Sequence, residues 1–265
     1  LLSSQCYQAW LETLKLKIPD NYRQVKNIVI SGMGGSTYGA RIVKSLYSRD
    51  AFTKLPIELA NNYWLPGYTG PETLVILSSY SGTTEETLAT AIQAKEKGAK
   101  ILGITTGGEL GVFLRQNNYP GYIFDPVHNP SKQPRIGVGY MVMGLIGLLA
   151  KLNIIKTDFN EINYIINLLK TNNNSLSEKI LVNNKAKKLA IALYGLVPVF
   201  IIADFLEGAG DAVRNPFHET AKQFALYFTV PELNHHLLEG LTYPSDAIKN
   251  LILNTLLNTV SSSAI

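Results

Sequence analysis

One pattern constrains this chain more than any other: a short β-branched run, a turn of small residues and an amphipathic helix, in that order and more than once. Residues 27–30 run into Ser31-Gly32-Met33-Gly34-Gly35-Ser36 and then into helical phasing at Ala40, Ile42, Val43 and Leu46. The grammar returns with an apolar strand at 73–77, small polar residues over 78–84, and a helix over 85–97 phased by Leu88, Ala91, Ile92 and Ala94. Gly98 then stands where that helix needs a glycine to stop. Residues 101–104 and 122–124 read as further strands, 136–152 as a strongly apolar helix, and 4–17 as an amphipathic packing helix closed off by Pro19. Strands alternating with helices at this spacing predict an α/β fold, a parallel sheet covered by helices on both faces in three layers.

The grammar restarts later. An asparagine-rich stretch, 171–177, is the best linker candidate; beyond it 197–202 reads as a buried strand, 207–225 as a helix, 226–230 as a strand and 246–260 as an amphipathic helix. The expected organisation is a first domain over 1–155, a helical connection and polar linker over 156–180, and a second α/β domain over 181–265. That second domain is expected to be incomplete, because only the 246–260 segment follows its strands before the chain stops at Ser-Ser-Ser-Ala-Ile. With 46% apolar residues in 265, the chain has ample material for a core, which excludes general disorder. A lone cysteine, Cys6, excludes a disulfide-stapled scaffold and fits a reducing, cytoplasmic setting. The longest apolar stretches, 138–150 and 191–203, fall short of a membrane span, and Pro198 interrupts the second, so a soluble protein is expected. The net charge of +4 is scattered, with Lys185, Lys187 and Lys188 its densest group, which suits a solvated helix face better than a nucleic-acid surface.

The first glycine turn fits neither common phosphate loop. A dinucleotide fingerprint starting at Gly32 and Gly34 needs a glycine-like residue at position 37 and meets Thr37; a triphosphate loop from Gly34 to Gly39 needs lysine next and meets Ala40. What is left is a turn presenting Ser36 at a helix start, its glycines serving either close packing or the approach of an anion. The second turn tips the balance, since Ser79, Ser81, Thr83 and Thr84 crowd around Gly82 ahead of Glu85 and Glu86. Hydroxyls and free N–H groups at a helix start can hold a phosphate monoester with no cation. The plainer alternative is an N-cap with a capping box, but one hydroxyl suffices for a cap. Four favour the phosphate.

These two turns, Gly32-Met33-Gly34-Gly35-Ser36 and Ser79-Tyr80-Ser81-Gly82-Thr83-Thr84-Glu85-Glu86-Thr87, resemble those of the sugar isomerase (SIS) domain. More narrowly, residues 4–243 are similar to the bifunctional phosphoglucose/phosphomannose isomerases of archaea and bacteria, which carry two such domains. Thr83 departs from the asparagine usual in the second turn. The resemblance implies that Ser36, Ser79, Ser81 and Thr84 hold the phosphate, with Gly34, Gly35 and Gly82 supplying loop backbone. It carries over a catalytic set as well: Arg135 in Gln133-Pro134-Arg135; Glu219 in a segment where His218 and Thr220 replace two asparagines; and His235, where His236 departs from the pattern. It also implies a two-fold dimer in which His235 reaches the partner's site, and a further lysine near the C-terminus. Lys249 is the only lysine after Lys222, and its surroundings match no motif.

The chemistry so implied is aldose–ketose isomerisation of a hexose 6-phosphate through an enediolate, with glucose 6-phosphate, and mannose 6-phosphate too, converted to fructose 6-phosphate. His235 would move protons at the ring oxygen, Glu219 would carry the proton between C2 and C1, and Arg135 would stabilise the enediolate. No metal or organic cofactor is expected. The residues also admit blander readings: Arg135 as a surface residue at a helix start, and Glu219 as an exposed carboxylate paired with Lys222 three residues on. A zinc-protease motif beginning at His218-Glu219 fails at Lys222, adjacent His235 and His236 suit no joint metal site, and His128 is a loop residue without an evident partner. The rival class is a phosphosugar-binding SIS regulator that does not turn its ligand over; Glu219, Arg135 and His235 argue against it.

Overall fold

Alternation within the strands decides the architecture. In β1 (Asn27–Gly32) and β3 (Thr73–Ser78), Ile28, Ile30, Leu74 and Ile76 join one core while Val29, Val75 and Leu77 join another, and all seven are fully buried. A sheet buried on both faces needs helices on both, and has them. The structure, a computed structural model, describes residues 1–47 and 55–256 and divides into two units, Leu1–Asn172 and Asn173–Ile265. In the first, α1 (Leu2–Lys15), α2 (Tyr38–Tyr47), α5 (Val138–Lys151) and the start of α6 (Phe159–Ser175) cover one face through Ala9, Trp10, Val43, Leu145, Leu148 and Ile162. On the other lie α3 (Glu85–Glu96) and α4 (Gly108–Gln116), packed through Ala91, Ala94, Leu110 and Leu114.

The sheet of this unit is parallel throughout, in the order β2-β1-β3-β4-β5, with β2 at Ile57–Ala60, β4 at Lys100–Thr105 and β5 at Gly121–Ile123. Two of its elements, β2 and α4, have no counterpart in the sequence reading. The short β2 is an edge strand with a solvent-exposed Glu58, and α4 contains Gly108 and Gly111, which weaken its helical pattern. Gly98 does end α3: at φ +67° its N–H bonds to Lys95 O (3.0 Å), and Ala99 N–H bonds to Ala94 O (2.9 Å).

The second unit carries α7 (Lys185–Leu193), β6 (Val197–Ala203), α8 (Glu207–Pro216), β7 (Leu226–Val230), the single turns α9 (Leu237–Gly240) and α10 (Ser245–Ile248), and β8 (Leu251–Leu256). Its sheet, β7-β6-β8, is again parallel, with Phe200, Ile202 and Ala225 as its core. The division between the units falls within the asparagine-rich stretch, which is the helical end of α6 as far as Ser175. Two expectations are corrected. The helix expected over 207–225 stops at Pro216, which has no N–H to continue the ladder, and after a π-helical turn (Phe217–Ala221) Lys222 closes the segment in the left-handed region at φ 57°. The helix expected over 246–260 is one turn followed by β8, because Leu251 to Leu256 pair along β6 in register Val197↔Leu251 to Ile202↔Leu256. A short apolar run fits either period, and pairing with a strand edge satisfies its backbone groups. Positions 257–260 lie outside the described residues. No helix among those residues is long and apolar enough to cross a membrane.

Cys6 faces the core from α1 at 4% exposure, and burial pushes its thiol up to about 12. The raised value means that the thiol's contribution to stability is complete below its ordinary 9.0 and is lost as pH climbs toward about 12. Native protein at pH 8 should therefore resist a thiol reagent and react fully in urea, and its urea midpoint should fall above pH 9 less in Cys6→Ala than in the parent. Rapid labelling of the native chain would refute this placement.

Candidate active site

From β1 the chain turns to one side to form β2, and it builds β3 on the other. The C-terminal ends of β1 and β3 therefore flank a topological switch point, the place where open parallel sheets hold ligands. Gly32 and Ser78 are register partners, so the glycine turn and the hydroxyl turn leave the sheet side by side. Two hydrogen bonds clasp them: Ser78 Oγ donates to Ser36 O (2.6 Å), and Tyr80 N–H donates to Ser36 Oγ (3.0 Å). Within the second turn Ser79 Oγ and Thr84 Oγ1 lie 2.7 Å apart, Gly82 N–H donates to Ser79 Oγ (3.1 Å), and Ser81 Oγ accepts from both Thr83 N–H (3.3 Å) and Thr83 Oγ1 (3.0 Å). Ser79 is buried, Ser36 and Thr84 half-buried, and Ser81 exposed.

Thr84 occupies the N-cap position of α3, yet no side chain caps that helix, because its hydroxyl is turned to Ser79. The capping-box alternative is thereby corrected. The hydroxyls bond to one another and to the backbone of their own turn, and α3 starts without a side-chain cap. Gly34, at φ +51°, has no heavy atom within 4 Å of where a Cβ would stand, which leaves the backbone of the first turn open to an approaching group; Gly35 follows it in the same turn. Gly82, at φ +72°, is packed so tightly that a Cβ would lie 1.9 Å from Gly107 O.

Arg135 is exposed on a 3-10 turn (Pro134–Ile136) leading into α5, in the same unit as the two turns. Three polar residues that the sequence reading passed over serve these segments. Ser78 makes the clasp. Gln5, 1% exposed on α1, donates through Nε2 to His128 O (3.0 Å) and Ile136 O (2.9 Å) and accepts from Gly139 N–H (3.1 Å). Asn129, equally buried, bonds to Tyr80 OH and Gln133 O. The signal available in sequence was a polar side chain on the core face of an amphipathic helix, beside Cys6 and Ala9. His128 joins the same region through its backbone alone, its N–H donating to Tyr140 OH (2.9 Å).

In the second unit Glu219 lies half-buried on the π-helical turn, a wide-turn geometry that recurs at functional sites. Lys222 does not pair with its carboxylate; Nζ donates to Glu219 O (2.8 Å). His218 stacks on Phe224 (5.9 Å between ring centroids), and its Nε2 lies 2.9 Å from Ala225 O, so it ties the turn to the start of β7. His235 is exposed on a 3-10 turn (Glu232–His235) after β7, and the neighbouring His236 stands 3.9 Å from Glu232. Buried Asp211 holds Arg214, whose guanidinium carbon sits 5.0 Å from the Tyr227 ring centroid. Among the described residues no three His, Cys, Asp or Glu side chains gather as metal ligands would.

A doubly wound parallel sheet with paired hydroxyl and glycine turns at its switch point is the architecture of a SIS domain, and a family model so described matches residues 21–109. A second model, for the bacterial phospho-glucose isomerase C-terminal SIS domain, matches residues 182–262. The chain is 32% identical over 246 residues to a bifunctional phosphoglucose/phosphomannose isomerase of Caldicellulosiruptor bescii (92% of this chain, 70% of that one). It is 32% identical over 245 residues to one of Thermoplasma acidophilum (89% and 71%), and 29% identical over 243 residues to a D-glucosamine-6-phosphate 4-epimerase of Sulfolobus acidocaldarius (89% and 72%). Among solved structures, the C-terminal domain of glucosamine-fructose-6-phosphate aminotransferase from Francisella tularensis superposes with a TM-score of 0.63 at 14% identity, covering 97% of this chain and 73% of that one. The chain belongs to the bifunctional phosphoglucose/phosphomannose isomerase family.

Gly82→Ala should destabilise the first unit by on the order of 2–4 kcal/mol, since it combines a positive φ with a backbone collision. Urea unfolding measures it; an unchanged midpoint would mean that the two turns are not packed as described.

Proposed function

We propose that this chain interconverts glucose 6-phosphate, and mannose 6-phosphate as well, with fructose 6-phosphate. The observation that carries the reading is the pair of clasped turns at the switch point, rich in hydroxyls, with a helix start that has no side-chain cap. Ser36, Ser79, Ser81 and Thr84, with the backbone of Gly34, Gly35 and Gly82, hold the phosphate. Binding energy from that remote group orients the reacting end of the sugar. His235 transfers protons between the ring oxygen and the anomeric hydroxyl to open the ring. Glu219 removes the proton from C2 and returns it to C1 through a cis-enediolate, while the O2 hydroxyl proton passes to O1, and the positive charge of Arg135 stabilises the anion. In a two-fold dimer His235 serves the partner subunit. The setting is the cytoplasm.

Enzymes of this family and the 4-epimerase relative share a scaffold but differ in where bonds change, so the assay must read products. The chain should convert glucose 6-phosphate and mannose 6-phosphate to fructose 6-phosphate in a coupled assay. Glu219→Gln should lose about 10²–10⁴ of kcat, the scale of a general base, while its Kd for fructose 6-phosphate moves less than about threefold. Near-normal turnover in that variant would sink the assignment, and phosphosugar binding without turnover by the parent chain would favour the regulatory alternative.

A further inference from the structure

The hydroxyl turn and the turn bearing Arg135 are distant in sequence, and Tyr80 and Asn129 join them by hydrogen bonds. The backbone of Tyr80 belongs to the phosphate turn: its N–H donates to Ser36 Oγ (3.0 Å), and its carbonyl accepts from Thr106 N–H (2.9 Å) and Thr106 Oγ1 (2.8 Å). Its ring leaves that turn and lies over Gly137, where a Cβ would come within 2.1 Å of Cε2, and meets Phe124 edge-on at 5.7 Å. Its hydroxyl accepts from Asn129 Nδ2 (2.7 Å). Asn129 Nδ2 also donates to Gln133 O (2.9 Å), and that carbonyl accepts from Ile136 N–H (3.0 Å) across the Arg135 turn. Asn129 Oδ1 is satisfied by Ser131 Oγ (2.7 Å). An unbroken path thus runs from the hydroxyl of Ser36, through Tyr80 and Asn129, to the two residues that flank Arg135 and its proline.

We propose that Tyr80 and Asn129 are positioning residues, holding the Arg135 turn at a set distance from the phosphate turn so that the guanidinium meets charge developing at the sugar's reacting carbons. This rests on the isomerase reading and on the role of Arg135 within it. The physical case is one of placement. The chain's own packing needs only the ring, which fills the space over Gly137 and beside Phe124, whereas the hydroxyl bonds to the buried Asn129 amide, which bonds on to Ser131 and to Gln133 at the Arg135 turn. Gln5 grips the same turn, but from α1, and makes no bond to the phosphate turn. The Gly34–Thr37 turn also packs directly against Pro134–Ile136, but the hydrogen-bonded link between the phosphate turn and the Arg135 turn runs through Tyr80. An electrostatic stabiliser works only when it is fixed at the distance the transition state sets, so a loosened link costs rate more than binding.

The test is Tyr80→Phe, which keeps the ring, with Asn129→Asp as a second variant that removes the donating amide. Each should leave KM for the hexose phosphates and Kd for inorganic phosphate within about twofold, and lower kcat about five- to tenfold, the worth of one positioning hydrogen bond. Affinity for a five-carbon sugar-acid phosphate, whose carboxylate mimics the enediolate, should fall by the same factor as kcat. In an Arg135→Ala background the added loss from Tyr80→Phe should shrink below about twofold, the mark of coupled residues. Hydrogen exchange at the Ile136 and Gly137 amides should quicken in both variants. Full additivity with Arg135→Ala, or an equal loss of inorganic phosphate affinity, would overturn the proposal, because Tyr80 would then be shaping the phosphate turn alone. An active parent with an unchanged Tyr80→Phe enzyme would also overturn it. An inactive parent whose exchange still responds at Ile136 and Gly137 would remove the isomerase reading and leave the mechanical link standing.

Discussion

Two hydrogen bonds to one serine organise the first unit. Ser36 receives the Tyr80 N–H on its hydroxyl and the Ser78 hydroxyl on its carbonyl, so a turn after β1 and a turn after β3 act as one body. Each bond contributes only about 1 kcal/mol. Their effect is directional rather than energetic. A hydroxyl oxygen that accepts from a backbone amide has its own proton left to donate elsewhere, while Ser79 Oγ accepts from Gly82 N–H and shares a hydrogen bond with the Thr84 hydroxyl. The parallel sheet makes this possible, because Gly32 and Ser78 sit opposite one another at the ends of adjacent strands. Everything placed nearby, from the uncapped start of α3 to the Arg135 turn held through Tyr80, takes its bearings from that junction.

Much of this was legible in the residues alone, and the reason is that turns of small residues leave little conformational choice. Glycine and hydroxyl clusters between apolar runs mark strand-to-helix junctions whatever the distant packing, so the placement of Ser36 and of Ser79, Ser81, Thr83 and Thr84 at such junctions could be read from the residues, while the choice among them as phosphate ligands came from the family resemblance. The partners of those hydroxyls could not, since whether Thr84 caps α3 or bonds to Ser79 depends on three-dimensional proximity. Strand β8 was hidden for a different reason: Leu251, Ile252 and Leu253 satisfy a helical period as well as a strand, and only the edge of β6 decides between them. The π-helical turn under Glu219 was masked by ordinary helical neighbours, with Pro216 and the left-handed Lys222 as its only local clues.

Buried polar residues formed the largest gap between sequence and structure. Gln5 and Asn129 look like surface residues by type, yet both are nearly inaccessible and satisfy several backbone groups that loops would otherwise bury unpaired. His218 shows the same economy in the second unit. Standing where the family pattern has asparagine, it braces the π-helical turn against Ala225 and Phe224, so that departure from the pattern has a structural use.

Neither turn of the clasped pair contains a lysine or arginine: residues 31–36 and 78–84 are glycine, serine, threonine, methionine and tyrosine. On the proposed reading, an anion seated there would be held by short directional bonds and a helix end, not by opposite charge acting across solvent. Mobile ions screen charges over about 8 Å at physiological ionic strength, but they cannot screen a hydrogen bond at contact distance. A site of this kind would depend less on salt concentration than one built from lysine and arginine, and would exert little pull on anions in bulk solution.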